Sequence, residues 1–194
     1  IIPRIIAVSK TFKLNHILPL IKFGHTHYGE NKVQEAIEKW SEIKPNNNKI
    51  KLHLIGKLQT NKVKMSLKLF DFIHSLDNEK LARKISDEQK KQNLKPKLFI
   101  QVNIGNESQK NGIHIKKLDD FHNLCKELNL NVVGIMCIPP IDEDSEKSFL
   151  RMNYLKKKFN FEELSMGMSS DYLDAIKYNS TFLRIGSSIF GPRT

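Results

Sequence analysis

Hydrophobic positions along this chain follow two periods that take turns. Short apolar runs at residues 4–9, 25–29, 52–56, 70–75, 97–104, 132–138, 163–166 and 181–185 have the length and composition of buried strands. Between them, residues 32–43, 79–92, 116–128, 143–159 and 171–178 repeat apolar positions at helical spacing. Links are short and no Pro/Gly-rich stretch divides the chain, so the pattern predicts one domain over residues 1–194. Eight strands alternating with helices is the count of an α/β (β/α)8 barrel of the TIM type, at the small end of its size range. A doubly wound open sheet is the alternative.

Strand parity favours the barrel. Leu98, Ile100, Val102 and Ile104 share one face of their strand, whereas Phe99, Gln101 and Asn103 share the other. Arg184 likewise lies opposite Leu183 and Ile185. A barrel turns its aliphatic faces to the helices and gathers polar strand ends at its C-terminal mouth. An open sheet would want aliphatic residues on both faces.

Lys10 stands out against this pattern. Ile6, Val8 and Lys10 share a face by the two-residue period, so the cation follows two core residues at the tip of the first strand. A strand-end Lys can snorkel into water. It can also be an amine nucleophile that condenses with a carbonyl.

Composition narrows the classes. The net charge is +11 and the pI near 9.6, but most lysines alternate with acids along helical segments, as from Glu79 to Lys91. That is a solvated helix face rather than a phosphate-binding cluster, and no nucleic-acid partner is expected. Cys125 and Cys137 are too far apart for a CxxC pair and read as free thiols of a reducing compartment. No signal peptide or long apolar stretch is visible, so the expected location is cytoplasmic, with no membrane partner.

Small residues mark three predicted strand ends: residues 28–31, 165–171 and 184–191. The last two follow the final strands, where barrels commonly bind phosphate on backbone N–H groups; Ser169-Ser170-Asp171 also reads as an ordinary helix cap. An amine, a phosphate cradle and an inward Arg suit pyridoxal 5'-phosphate. Lys10 would form a Schiff base with its aldehyde and Arg184 would face the ring nitrogen. A guanidinium donates but does not accept hydrogen bonds, so the ring would stay a weak electron sink.

AVSK at residues 7–10, YGENKVQE at 28–35, HLIGKLQTNKVK at 53–64, QVNIGNESQKNGI at 101–113, GIMCIPP at 134–140, LSMGMSSDYLDAI at 164–176 and STFLRIGSSIFGPR at 180–193 closely resemble the pyridoxal phosphate homeostasis protein family. The resemblance runs from Pro3 to Arg193. It implies a barrel similar to the N-terminal domain of alanine racemase, without the second β-rich domain, acting as a cofactor carrier and regulator with no established reaction. Carried over by position, it implies an internal aldimine on Lys10, Asn31 beside the ring and Arg184 at the ring nitrogen. Met168, Ser169, Gly186 and Ser187 would contact the phosphate through amides and hydroxyls. Apo-enzymes that use the cofactor would be its acceptors, and lack of the racemase's dimer-forming domain points to a monomer.

There are two departures. Phe12 stands where many relatives carry a second Lys, which puts accessory cofactor transfer there in doubt. The chain also begins at the first predicted strand, where relatives carry a preceding helix. The competing function is an amino-acid racemase, which needs a second acid/base on the ring face opposite Lys10. His25 and His27 read as packed or capping residues rather than metal ligands, and His53 as a hydrogen-bonded interior histidine. Gln59, Asn61, Lys62 and Lys64 read as loop and helix-start polarity, and Cys137 as an inert buried thiol.

Overall fold

The computed structural model describes residues 1–193. Eight parallel strands close on themselves: β1 (Arg4–Val8), β2 (His27–Glu30), β3 (Lys51–Leu54), β4 (Phe72–Leu76), β5 (Lys97–Asn103), then β7 (Val132–Met136), β8 (Glu163–Ser165) and β9 (Phe182–Ile185). Pairing of β9 back onto β1, with Ile6 opposite Arg184, completes the ring. A two-residue strand, β6 (Ile113–His114), pairs only with the end of β5 and lies outside the closure. The helices are α1 (Leu14–Phe23), α2 (Val33–Trp40), α3 (Val63–Leu69), α4 (Glu79–Gln92), α5 (Leu118–Glu127), α6 (Ser145–Lys158), α7 (Tyr172–Lys177) and α8 (Ser187–Phe190).

The predicted barrel is therefore the observed one, and the open sheet is excluded by the β4–β5 pairing that closes it. Differences at element ends have local causes. β2 starts at His27 because the His25 ring bonds to the His27 carbonyl and the Tyr28 hydroxyl donates back to the His25 carbonyl, bending the chain there. β4 starts at Phe72 because the Phe70 N–H still donates to Ser66 at the end of α3. α1 went unpredicted because it contains Pro19, ordinarily a helix breaker. On α4 one acid departs from the solvated face: Glu88 is buried, accepting from Lys84 and Gln92.

Helix ends explain part of the Asn richness. Asn93, Asn129, Asn160 and Asn179 all have positive φ, between 51° and 68°, just after α4, α5, α6 and α7. The residue that follows each donates its N–H five positions back, as Leu130 does to Cys125 at 3.0 Å and Phe161 to Lys156 at 3.0 Å. Asn is the side-chain-bearing residue best suited to the left-handed position that glycine usually fills in this motif.

Parity divides the strands into two faces. Ala7, Leu52, Leu54, Ile73, Leu98, Ile100, Ile135, Leu164 and Leu183 face outward into one large core with the helices. Ile6, Phe72, Phe99, Met136 and Phe182 fill the lumen as a separate cluster. Arg4 closes the lower end, ion-paired to Glu163 with its guanidinium 4.0 Å from the Phe182 ring centre. With the bottom plugged by rings, the lumen opens at the C-terminal strand ends.

Candidate functional site at the barrel mouth

β1 delivers Lys10 through a turn in which the Phe12 N–H donates to the Ser9 carbonyl at 3.1 Å. Thr11, in that turn, has φ 69°, a strained position for a β-branched residue. The turn is held by α2. The Thr11 N–H donates to the Glu35 carboxylate, and Lys39 Nζ donates to the Ser9 carbonyl at 2.7 Å and to Glu30 Oε1 at 2.8 Å. Glu30 is fully buried and also accepts from Ser9 Oγ at 2.7 Å and Trp40 Nε1 at 2.9 Å. Lys10 is thus placed by a charged, buried bracket beneath it.

The Lys10 ammonium lies below its ordinary pKa. Partial burial is the largest cause and the Arg193 guanidinium the next, with Glu35 opposing both. Each raises the share of free amine or lowers it in turn, and the net direction favours nucleophilicity.

A cavity of about 620 Å3 spans the mouth. Lys10, Asn31, Met168, Ser169, Arg184, Gly186 and Ser187 all line it, so the seven residues singled out from sequence come together. Asn31 follows β2, and its Oδ1 is buried with no partner among the described residues. Gly56 keeps it in place, because a Cβ there would lie 2.2 Å from the Asn31 carbonyl oxygen. Arg184 is 4 % exposed; its Nη1 donates to Ser165 Oγ at 2.7 Å and its Nη2 to the Cys137 carbonyl at 2.8 Å.

Two loops form the opposite wall. Gly167, at φ 98°, turns the chain after β8; a Cβ would meet that of Ala175 at 2.6 Å. The Met168 N–H is engaged by Asp171 Oδ1 at 2.7 Å, and Ser169 Oγ accepts from the Ser188 N–H at 3.3 Å, tying this loop to the one after β9. The N–H groups of Ser169 and Ser170 meet no protein acceptor among the described residues.

Sequence reasoning missed Arg193, which joins the cavity wall beside Gly186. It also missed the partners of Arg184, because Ser165 and Cys137 lie on other strand ends. Phe12 stacks on His16, ring centres 4.9 Å apart, and lies 5.3 Å from Phe190. It packs on α1 and α8 and is absent from the mouth lining. Burial drives the Cys137 thiol up to about 12, in keeping with an inert sulfur. Gln59 precedes and Asn61 and Lys62 lie in a 3-10 turn that leads into α3, where Lys64 sits. No His/Cys/Asp/Glu group among the described residues has a metal-binding arrangement, and no helix there is long and apolar enough to cross a membrane.

A parallel eight-stranded barrel whose mouth carries one Lys from β1 and one buried Arg from the last strand is the alanine racemase N-terminal-domain type. That family, alanine racemase, N-terminal domain, matches residues 2–194. The pyridoxal phosphate homeostasis protein of Vibrio alginolyticus is 37% identical over 203 residues, covering 98% of this chain and 86% of that protein. PipY of Synechococcus elongatus PCC7942, solved with pyridoxal phosphate bound, is 32% identical with a TM-score of 0.87 over 97% of this chain and 92% of its own. Without the cofactor its TM-score is 0.89. Alanine racemase of Clostridium difficile 630, at 15% identity and a TM-score of 0.72, shares the fold, and this chain spans 51% of it. The chain belongs to the pyridoxal phosphate homeostasis protein family.

Proposed function

We propose that this chain binds pyridoxal 5'-phosphate at the barrel mouth and stores, delivers or buffers it without turning over a substrate. The observation that carries this reading is the convergence of Lys10, Asn31, Arg184 and two serine loops on one cavity of suitable size. The orphaned Asn31 oxygen is what a wall built for a polar ligand would leave. Such a cofactor, when bound, supplies an aldehyde carbon and an electron-drawing ring.

Each residue then has a role. Lys10 holds the cofactor covalently, its Nζ condensing with the aldehyde as one water leaves. Asn31 lies beside the ring. Ser169, Gly186 and Ser187 take the phosphate with amides and hydroxyls, and Arg193 adds charge; the Met168 N–H serves by fixing the loop through Asp171. Arg184 donates to the ring nitrogen and leaves it unprotonated.

A carrier is favoured over a racemase by the make-up of the wall. Among the described lining residues, Lys10 is the one amine, and no His, Tyr, Cys or carboxylate joins it. Two-sided proton transfer has no second partner there. The test is incubation with pyridoxal phosphate, a visible absorption band, borohydride reduction and peptide mapping. Label on Lys10 and no turnover of D/L amino-acid pairs are expected. Absence of a band, or label elsewhere, refutes cofactor binding at this site; racemisation above free cofactor refutes the carrier.

A further inference from the structure

Behind Arg184 the lumen holds a hydrogen-bonded chain that crosses four strands. His27 Nδ1 lies 2.8 Å from His53 Nε2, His53 Nδ1 lies 2.8 Å from His74 Nε2, and His74 Nδ1 lies 3.0 Å from Ser165 Oγ. Ser165 Oγ is the atom that accepts from Arg184 Nη1. His53 and His74 have no solvent exposure. Their rings are clamped by the lumen aromatics: His53 stacks on Phe72 at 4.2 Å and 8°, and His74 on Phe99 at 4.2 Å and 12°. The imidazoles have little freedom to turn.

Proton counting gives this chain one direction. Arg184 has only donors, so Ser165 Oγ must accept from it. The serine's single hydrogen then needs an acceptor, and the other partner within reach among the described residues is His74 Nδ1. His74 must therefore carry its proton on Nε2 and donate to His53 Nδ1. His53 in turn donates from Nε2 to His27 Nδ1. The reversed order would send His74 Nδ1–H into an oxygen already receiving Arg184 and orphan the serine hydrogen in the core, an expensive arrangement.

We propose that His27, His53 and His74 are a one-way ladder of neutral Nε2–H imidazoles that positions Arg184 through Ser165. This rests on the reading that Arg184 meets the ring nitrogen. Because each ring donates downward, the serine hydrogen is drawn into the ladder and its oxygen becomes a stronger acceptor for the guanidinium. The Cys137 carbonyl holds the second guanidinium nitrogen. Arg184 is thereby held through both Nη atoms where it lines the cavity. The ladder does not relay protons to the cofactor, since it ends on a guanidinium that keeps its own.

Surroundings agree with neutral rings. Burial is the largest cause depressing all three histidines; His27 also faces Arg4, His25, Lys51 and Asp71, His53 faces His74, His27 and Arg4, and His74 faces Arg184. Asp71 alone opposes the shift.

Ring-nitrogen NMR of 15N-histidine protein, free of cofactor, reads the polarity directly. Protonated Nε2 and bare, accepting Nδ1 at His53 and His74 from pH 5 to 8 are expected; the opposite tautomer or an imidazolium at either overturns the ladder. Binding of pyridoxal phosphate labelled at its ring nitrogen reads the positioning. Ser165→Ala and His74→Phe should shift that resonance and weaken retention about tenfold, the size of one charge-assisted hydrogen bond. His74→Asn, which keeps an acceptor for the serine hydrogen, should restore both to within about twofold. An unshifted resonance with unchanged affinity in Ser165→Ala overturns the positioning role, and does so even should His74→Phe not fold. If wild-type protein binds no cofactor, the reading of the site fails and the positioning role falls with it. The histidine nitrogens still decide the polarity.

Discussion

Outward from the barrel strands, Leu52, Leu98, Ile100, Ile135 and Leu183 meet the helices as aliphatic volume, while inward the same sheet carries His53, His74, Ser165 and Arg184 among aromatic rings. The outer face is held by apolar burial, which is non-directional and tolerates shape-conserving exchange. The inner face depends on donors and acceptors arranged in one order, where a single lost partner leaves a buried polar atom unpaired. Apolar burial alone holds the outer face, whereas on the inner one it is joined by polar groups that position the site. Substitutions on each should separate stability from positioning.

The largest effect is expected at the mouth. Lys10→Ala should abolish the borohydride-fixed label and the visible band while the melting temperature of the ligand-free protein changes little. A variant that keeps the band would show another amine at work. Next comes the outer face. Ile135→Ala, at a site with no exposure, should cost about 2–5 kcal/mol in denaturant unfolding yet leave cofactor affinity of the folded fraction intact. An equal loss of affinity would mean that the outer core also sets the site.

pH separates the faces without a cavity. His53 and His74 are held neutral, well below the ordinary imidazole value, so the unfolded chain binds protons that the folded chain does not. Their contribution is complete above about pH 6.5 and is lost as pH falls below it toward the depressed folded values. Each adds a slope of about 1.4 kcal/mol per pH unit where only the unfolded form is charged. Between pH 6 and 5, His74→Phe should remove one proton from the uptake on unfolding, measured by urea titrations at stepped pH. An unchanged slope would show that His74 is already charged in the fold.

How far each face could be read in advance follows from the same contrast. Strand count and outward aliphatic residues were legible, because a period of two repeats within each short run. Lys10 and Arg184 were legible as charges on a face shared with core residues, and the 165–171 and 184–191 junctions as runs of small residues. The histidine ladder was not: its rings sit on β2, β3 and β4, where strand pairing and register set them ring to ring, and only closure of the barrel brings Ser165 of β8 across the lumen to His74. His53 could be recognised as interior and hydrogen-bonded, but its partners could not. α1 was hidden by Pro19. Arg193 lay inside a recognised motif, yet its place at the mouth depends on the fold of the last loop.

Thr11 gives the smallest and most discriminating effect, since there stability and positioning should move in opposite directions. Its φ of 69° belongs to a turn position that favours glycine, and nothing in a Lys-Thr-Phe sequence announces it. Left-handed strain in a residue with a side chain costs on the order of 1–3 kcal/mol. Glycine would release that strain while adding unfolded-state freedom of about 0.5–1 kcal/mol. Thr11→Gly should therefore stabilise the ligand-free protein by about 1 kcal/mol, a rise of about 2–4 °C in Tm at this chain length. The same freedom would let the turn that presents Lys10 sample more conformations despite the Glu35 carboxylate holding residue 11's N–H. Affinity for the cofactor should fall about two- to threefold. A lower Tm would show that the threonine side chain contributes more than its backbone costs. A higher Tm with unchanged affinity would show that the Lys39 and Glu30 bracket alone suffices to aim Lys10.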